Sequence, residues 1–373
     1  MFDWQRKDGN LPQIAPAGGV DFYMDTTNGS PGWSDIGILI PYHFWKKYND
    51  REILEQYYPG MKKYAAFLRR RCGKHTPMSK PLGLHGELRK YAVNYGQSYG
   101  EWAEPADVFP NDWKDMVLPH PEVSTAYTSY CFRLFAEMAA EMGDKDTAKE
   151  YGALSEKVKA SYQAMRHLPE FSLDTDRQAM LARPLYMNLL DAKQTGQAQK
   201  RLLQALEHYG WRLGTGFLST PLILYVLAEY DLEAAYRLLE NEEIPGWLSM
   251  PKHGATTIWE SWEGPDAQGG VASLNHYSKG AVVEWLFSTM CGIQVGGEHH
   301  FTIAPRPGGH FSCAKAAYDS VYGRVESGWK RTEGGTEFHV CVPSNCTARV
   351  RLPDSREIDQ GTGEQNYFIP EGT

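Results

Sequence analysis

Three stretches of this 373-residue chain set tryptophan beside carboxylates. The first, Gly29-Ser30-Pro31-Gly32-Trp33-Ser34-Asp35, runs into a predicted helix. The second is Tyr99-Gly100-Glu101-Trp102-Ala103-Glu104-Pro105. The third and densest begins at Trp247 and resumes as Thr256-Thr257-Ile258-Trp259-Glu260-Ser261-Trp262-Glu263, with Asn275-His276-Tyr277 a little further on. Indole faces suit the flat C–H faces of sugars, and carboxylates move protons. A glutamate held against indole rings in a partly dry pocket gains proton affinity, which prepares it for acid–base work. Each stretch also has a plainer use: a helix cap with Trp33 as packing, a surface loop, and a plug at the end of a helical bundle. The crowding of tryptophans in the third stretch favours a pocket, because helix propensity does not call for it and exposure without purpose would invite aggregation.

Other chemistries find little purchase. No phosphate loop, dinucleotide fingerprint, nucleophile elbow or His-Glu-x-x-His zinc motif occurs. The glycine-rich PAGG at 16–19 and PGGH at 307–310 neither follow a strand nor open a helix. Neither a metal nor a cofactor is expected. With 38 basic and 46 acidic residues the net charge is −8, which lacks the footprint of a nucleic-acid or anionic-membrane partner. Six scattered cysteines do not make a disulfide framework. The N-terminal residues hold no apolar signal region, so as written the chain is expected in the cytoplasm, or in the periplasm or outside the cell if the true N-terminus lies upstream.

The elements that would position these loops divide near residue 293. Before it, apolar residues recur at three- and four-residue spacing in paired segments: 34–49 with 51–73, 122–143 with 145–166, 175–192 with 195–209, and 218–229 with 231–242. Residues 277–292 predict a last helix. After it, short alternating runs between Gly, Pro, Asn and Ser predict an antiparallel β-sandwich of about 80 residues. The expected domains are therefore a mainly α body over 1–293 and a β-module over 294–373.

Together DWQRKDGNLPQIAP, GSPGWSDIGILIPY, TGFLSTPLILYVLAE, GATTIWESWEG, SLNHYSKGAVVEWLF and FTIAPRPGG, in this order over nearly the whole chain, resemble the bacterial α-L-rhamnosidase family of inverting glycoside hydrolases. The resemblance implies an (α/α) barrel of six helical hairpins followed by a β-sandwich, acting on terminal α-L-rhamnose. It implies Glu260 of TTIWE as general base and Trp33, Asp35, Trp102 and His276 as sugar contacts, with Trp247 and Trp259 as pocket walls. An inverting enzyme keeps its two carboxyl groups about 6.5–9.5 Å apart so that a water fits between base and sugar.

The family's general acid belongs to an Asp-Glu-Arg…Gly-Trp…Gly-Asp-Ala segment on an early barrel loop, and nothing here matches it. The barrel is accordingly expected to be partial, its first part missing, with an upstream-encoded segment as partner. Loss of a general acid lowers rates on the order of 10²–10⁴-fold, so impaired hydrolysis is expected. Were Glu101 or Glu104 the acid, the chain would be a compact active enzyme, but the resemblance puts that loop at a sugar contact. The alternatives are a non-catalytic carbohydrate-binding remnant and another inverting glycosidase on the same toroid. A lyase would want Arg, Lys and Tyr where these loops offer Trp and acids.

Overall fold

The helices follow the apolar spacing. In the structure, a computed structural model that describes residues 1–15, 29–77, 79–110, 118–266 and 272–372, they are α1 (Ile36–Tyr48), α2 (Glu52–Arg71), α3 (Pro121–Glu141), α4 (Lys145–Met165), α5 (Gln178–Tyr186), α6 (Ala192–His208), α7 (Thr220–Tyr230) and α8 (Leu232–Leu239), with shorter turns between. The PAGG segment lies outside the described residues. Two compact units result: Met1–Trp45 with Arg51–Val226, and Lys46–Asp50 with Leu227–Thr373. No described helix is long and apolar enough to cross a membrane.

In the first unit, α3 and α4 form a hairpin. Gly143 turns the chain at φ 78°, and the Asp144 carboxylate then caps α4 by accepting the Thr147 N–H at 3.2 Å. Across the hairpin Ser155 Oγ donates to the Ser129 carbonyl at 2.8 Å, and Tyr151 stands edge-on to Phe132 and Phe135 at 5.3 and 5.0 Å. A capping box of Asp191 and Gln194 starts α6. The helix predicted over 175–192 shrinks to α5, for local reasons at both ends. Before it the Arg177 N–H is taken by Thr175 Oγ1, and after it Asn188 adopts a left-handed φ of 56°.

The second unit holds α8, capped by the Asp231 carboxylate on the Ala234 N–H at 2.9 Å, and every strand among the described residues. The single helix predicted over 277–292 is broken into Tyr277–Gly280, Val282–Trp285 and a wide π-turn over Leu286–Met290. At the first break the Lys279 carbonyl accepts a sideways hydrogen bond from the Trp247 indole at 3.0 Å. The strands are β1 (Ile293–Val295), β2 (His300–Ile303), β3 (Cys313–Ser320), β4 (Gly323–Thr332), β5 (Gly335–Val342), β6 (Thr347–Arg351), β7 (Glu357–Gln360) and β8 (Gly363–Pro370). They make two four-stranded sheets, β1-β2-β6-β7 and β3-β4-β5-β8. The expectation of a wholly antiparallel module needs one correction, since β2 and β6 run parallel, Phe301 opposite Ala348. A parallel neighbour needs a long crossover, and β3 to β5, which build the other sheet, supply it.

Phe301, Ile303, Val350, Trp329, Phe338 and Val340 are buried in this β-module. Trp329 Nε1 donates to the Met290 carbonyl at 2.9 Å and Ser327 Oγ to the Cys291 carbonyl at 2.5 Å, which ties β4 to the π-turn. Gly292 follows at φ 77°, where a Cβ would come within 2.1 Å of the Pro305 nitrogen, so glycine is required there.

Candidate active site

The first unit carries Trp33, Asp35 and Trp102. Asp35 is fully buried, and its carboxylate accepts from the Gly32 N–H at 2.5 Å and the Tyr64 hydroxyl at 2.6 Å. Burial raises its proton affinity, and these two bonds oppose the shift. In this arrangement Asp35 fastens the PGWS turn from beneath and so sets the position of Trp33. The Trp33 indole donates to the Gly100 carbonyl at 3.1 Å and stands against Tyr99 at 5.4 Å and Phe217 at 6.0 Å. Tyr99 in turn meets Trp102 at 6.1 Å, so Trp33 and Trp102 belong to one aromatic group.

Trp102 and Ala103 are both left-handed, at φ 46° and 54°, a strained conformation for residues with a Cβ. The strain is held by pairing. The Phe217 N–H bonds to the carbonyls of Glu101 and Trp102, at 3.1 and 2.9 Å. Gly216 permits this approach, because a Cβ there would lie 2.1 Å from the Trp102 oxygen. Glu101 is sealed below, accepting from the Gly216 N–H at 3.1 Å, the Ser219 N–H at 2.7 Å, Ser219 Oγ at 2.9 Å and the Arg183 guanidinium. Arg183 also pairs with buried Glu122, which the Tyr162 hydroxyl and Arg166 further satisfy. Burial pushes Glu101 up to about 6 despite Arg183, and the shared carboxylates hold Arg183 protonated. Glu104 is gripped at both oxygens by Arg177, which lies 3.7 Å from the Phe109 ring centre. Both glutamates of this loop are therefore committed to arginines.

The second unit carries Trp247, Trp259, Glu260 and His276. Its loop is pinned along two edges: the Glu260 N–H bonds to the Ser273 carbonyl at 2.9 Å and the His276 N–H to the Ile258 carbonyl at 2.8 Å. The half-buried Glu260 carboxylate accepts one hydrogen bond among the described residues, from the Ser273 N–H at 2.9 Å. His276 caps the next turn through Nδ1, 3.3 Å from the Ser278 nitrogen, and stacks on Tyr277 at 5.0 Å. Tyr277 is 82% exposed and offers an aromatic face beside His276. Trp247 and Trp259 are almost wholly buried. Trp259 packs on Gly264, and Trp247 meets Trp262 edge-on at 6.4 Å, so both act as backing for the loop.

Two charged residues at these sites were not singled out from sequence. Lys279 is fully buried, with Nζ donating to the Glu260 carbonyl and lying 4.1 Å from the centre of the Trp262 ring. Burial pushes it down to about 7, although Glu263 and Glu260 pull the other way. Its signal was a lysine three residues before Val282 and six before Trp285, on the apolar face of a helical run. Arg183 gives the same signal inside MLARPLY.

Comparison with known proteins supplies the family. A model of the bacterial alpha-L-rhamnosidase 6 hairpin glycosidase domain matches residues 1–290, and one of the bacterial alpha-L-rhamnosidase C-terminal domain matches 295–367. An α-L-rhamnosidase of Streptomyces avermitilis is 32% identical over 359 residues, covering 94% of this chain and 32% of that protein. One from Formosa agariphila is 30% identical over 372 residues, covering 97% and 38%. The crystal structure of the Streptomyces avermitilis α-L-rhamnosidase complexed with L-rhamnose aligns at a TM-score of 0.80 and 28% identity, over 98% of this chain and 35% of that one. That of the Dictyoglumus thermophilum α-L-rhamnosidase aligns at 0.82 and 25%, over 99% and 42%. The chain thus spans roughly a third of the length of the curated relatives it matches. With both of its parts matched in order, the chain belongs to the bacterial α-L-rhamnosidase six-hairpin glycosidase family.

Proposed function

We propose that this chain hydrolyses terminal α-L-rhamnosides with inversion and that Glu260 is the general base. The observation that carries the assignment is the contrast in commitment: the Glu260 carboxylate is half-buried and holds a single backbone amide among the described residues, while its backbone is pinned on both sides. A base needs both a fixed origin and an oxygen left to take a proton from water. Trp33, Trp102 and His276 are assigned to the sugar, whose ring and methyl group favour aromatic faces. Asp35 supports the Trp33 turn, and Trp247 and Trp259 back the Glu260 loop.

Glu101 and Glu104, tied to Arg183 and Arg177, are not assigned the proton-donor role. Protonation matters most for poor leaving groups, so turnover by this chain should depend steeply on the aglycone. The test is to incubate the purified chain with aryl α-L-rhamnosides of graded leaving-group acidity and follow the first-formed anomer by proton NMR. Release of β-L-rhamnose, fastest from the most acidic phenol, supports the assignment. First release of the α-anomer would overturn inversion, and no release from any of them would overturn hydrolysis by this chain.

A further inference from the structure

Lys279 stands out among the buried groups that the proposed mechanism leaves unused. A lysine ammonium is costly to bury, and one that stays buried is normally compensated by acceptors or an aromatic face. Here both come from the same segment. Nζ donates to the Glu260 carbonyl and sits over the Trp262 ring, two positions further along the loop. The Trp262 indole nitrogen is buried with no partner among the described residues, so the ring is engaged through its face and not its N–H. The far end of the lysine is fixed as well, because its own carbonyl accepts the Trp247 indole N–H. Lys279 thus spans from the turn that follows His276 to the segment that carries Glu260.

We propose that Lys279 is a positioning residue: its ammonium clamps the Glu260 carbonyl to the Trp262 face and so fixes where the Glu260 segment stands. The proposal rests on Glu260 being the base. Among the described residues the charged groups bearing on Lys279 are Glu263 and Glu260, both on the segment it clamps; His276 and Tyr277 are the titratable groups on its own turn, and Trp247 brings an indole. Neutral lysine keeps a weaker N–H donor but loses the charge that the carbonyl and the ring face attract, so both contacts weaken together.

Two measurements separate this proposal from the assignment of Glu260. The first needs no substrate. Hydrogen–deuterium exchange of the peptide spanning 256–263 is expected to be slow in the wild-type chain, where the clamp is in place. Lys279→Met should exchange on the order of tenfold faster there, and Lys279→Arg should stay close to wild type. An unchanged wild-type profile in Lys279→Met would overturn the clamp, whether or not the chain turns over rhamnoside. The second measurement is steady-state kinetics with an activated aryl α-L-rhamnoside. Lys279→Met should lower kcat on the order of tenfold to a hundredfold with KM little changed, as expected of a displaced catalytic group. Lys279→Arg should restore much of that kcat. Equal loss in both variants would leave a purely structural lysine and overturn the proposal. A clamp that passes the exchange test while Glu260→Gln retains full activity would overturn only the base assignment.

Discussion

In the first unit Glu101 precedes Trp102; in the second Glu260 follows Trp259, and each loop carries another glutamate three positions on. The surroundings differ in kind. Glu101 has four hydrogen-bond donors, one of them a fully buried arginine that it shares with Glu122. Glu260 has one amide at its carboxylate, and its nearby cation grips the backbone carbonyl instead. A carboxylate saturated by donors is a structural anchor, since any proton it takes must break those bonds. A carboxylate whose backbone is held and whose oxygens are sparsely bonded is one that can exchange a proton with water. On the proposed assignment, one glutamate–tryptophan loop serves rigidity and the other is kept for chemistry.

Breaking the anchor should give the largest effect on stability. Arg183→Met leaves Glu101 and Glu122 buried without their shared partner and should cost about 3–5 kcal/mol in chemical denaturation. A loss under about 1 kcal/mol would mean that the pair does not anchor the loop. Glu101→Gln keeps the shape but surrenders the charge, for an expected cost of about 1–3 kcal/mol. Hydrolysis by Glu101→Gln should fall no further than its folded fraction, and a larger fall would give this loop a chemical role.

Lys279 sharpens the contrast from the other side, through pH. Its folded-state value near 7 lies below the usual 10.5, so between these values the unfolded chain holds the extra proton and stability rises with pH. Relative to Lys279→Met, the wild type should be weakest at pH 7 and below and should recover ground as pH climbs toward 10. Differential scanning fluorimetry across that range checks the sign, and a gap that widens with pH contradicts it. The smallest effect belongs to Ala103→Gly. Relief of a left-handed φ of 54° should add about 1 kcal/mol to stability with the rate unchanged.

Much of this contrast was hidden in the sequence. Helix pairing and the change to strands near Ile293 were legible because apolar spacing and turn residues are local. Glu260 stood out as a candidate because its whole segment is distinctive. The fates of Glu101 and Glu104 were not, since Arg183 lies 82 residues from Glu101 and Arg177 lies 73 from Glu104, and no local pattern links them. Lys279 was missed for a related reason: within the predicted helix over 277–292 it reads as a surface lysine, and only the apolar positions after it hint at burial. The parallel β2–β6 pairing escaped because register over that separation is set by the packed core.

The central claim is that Glu260, and not its counterpart Glu101, does the chemistry. The most direct test assays Glu260→Gln in this same chain with an activated aryl α-L-rhamnoside, alongside its Tm and its Kd for L-rhamnose. Loss of turnover on the order of 10²–10⁴-fold with Tm and Kd unchanged is the expected result. Wild-type turnover by Glu260→Gln would contradict it.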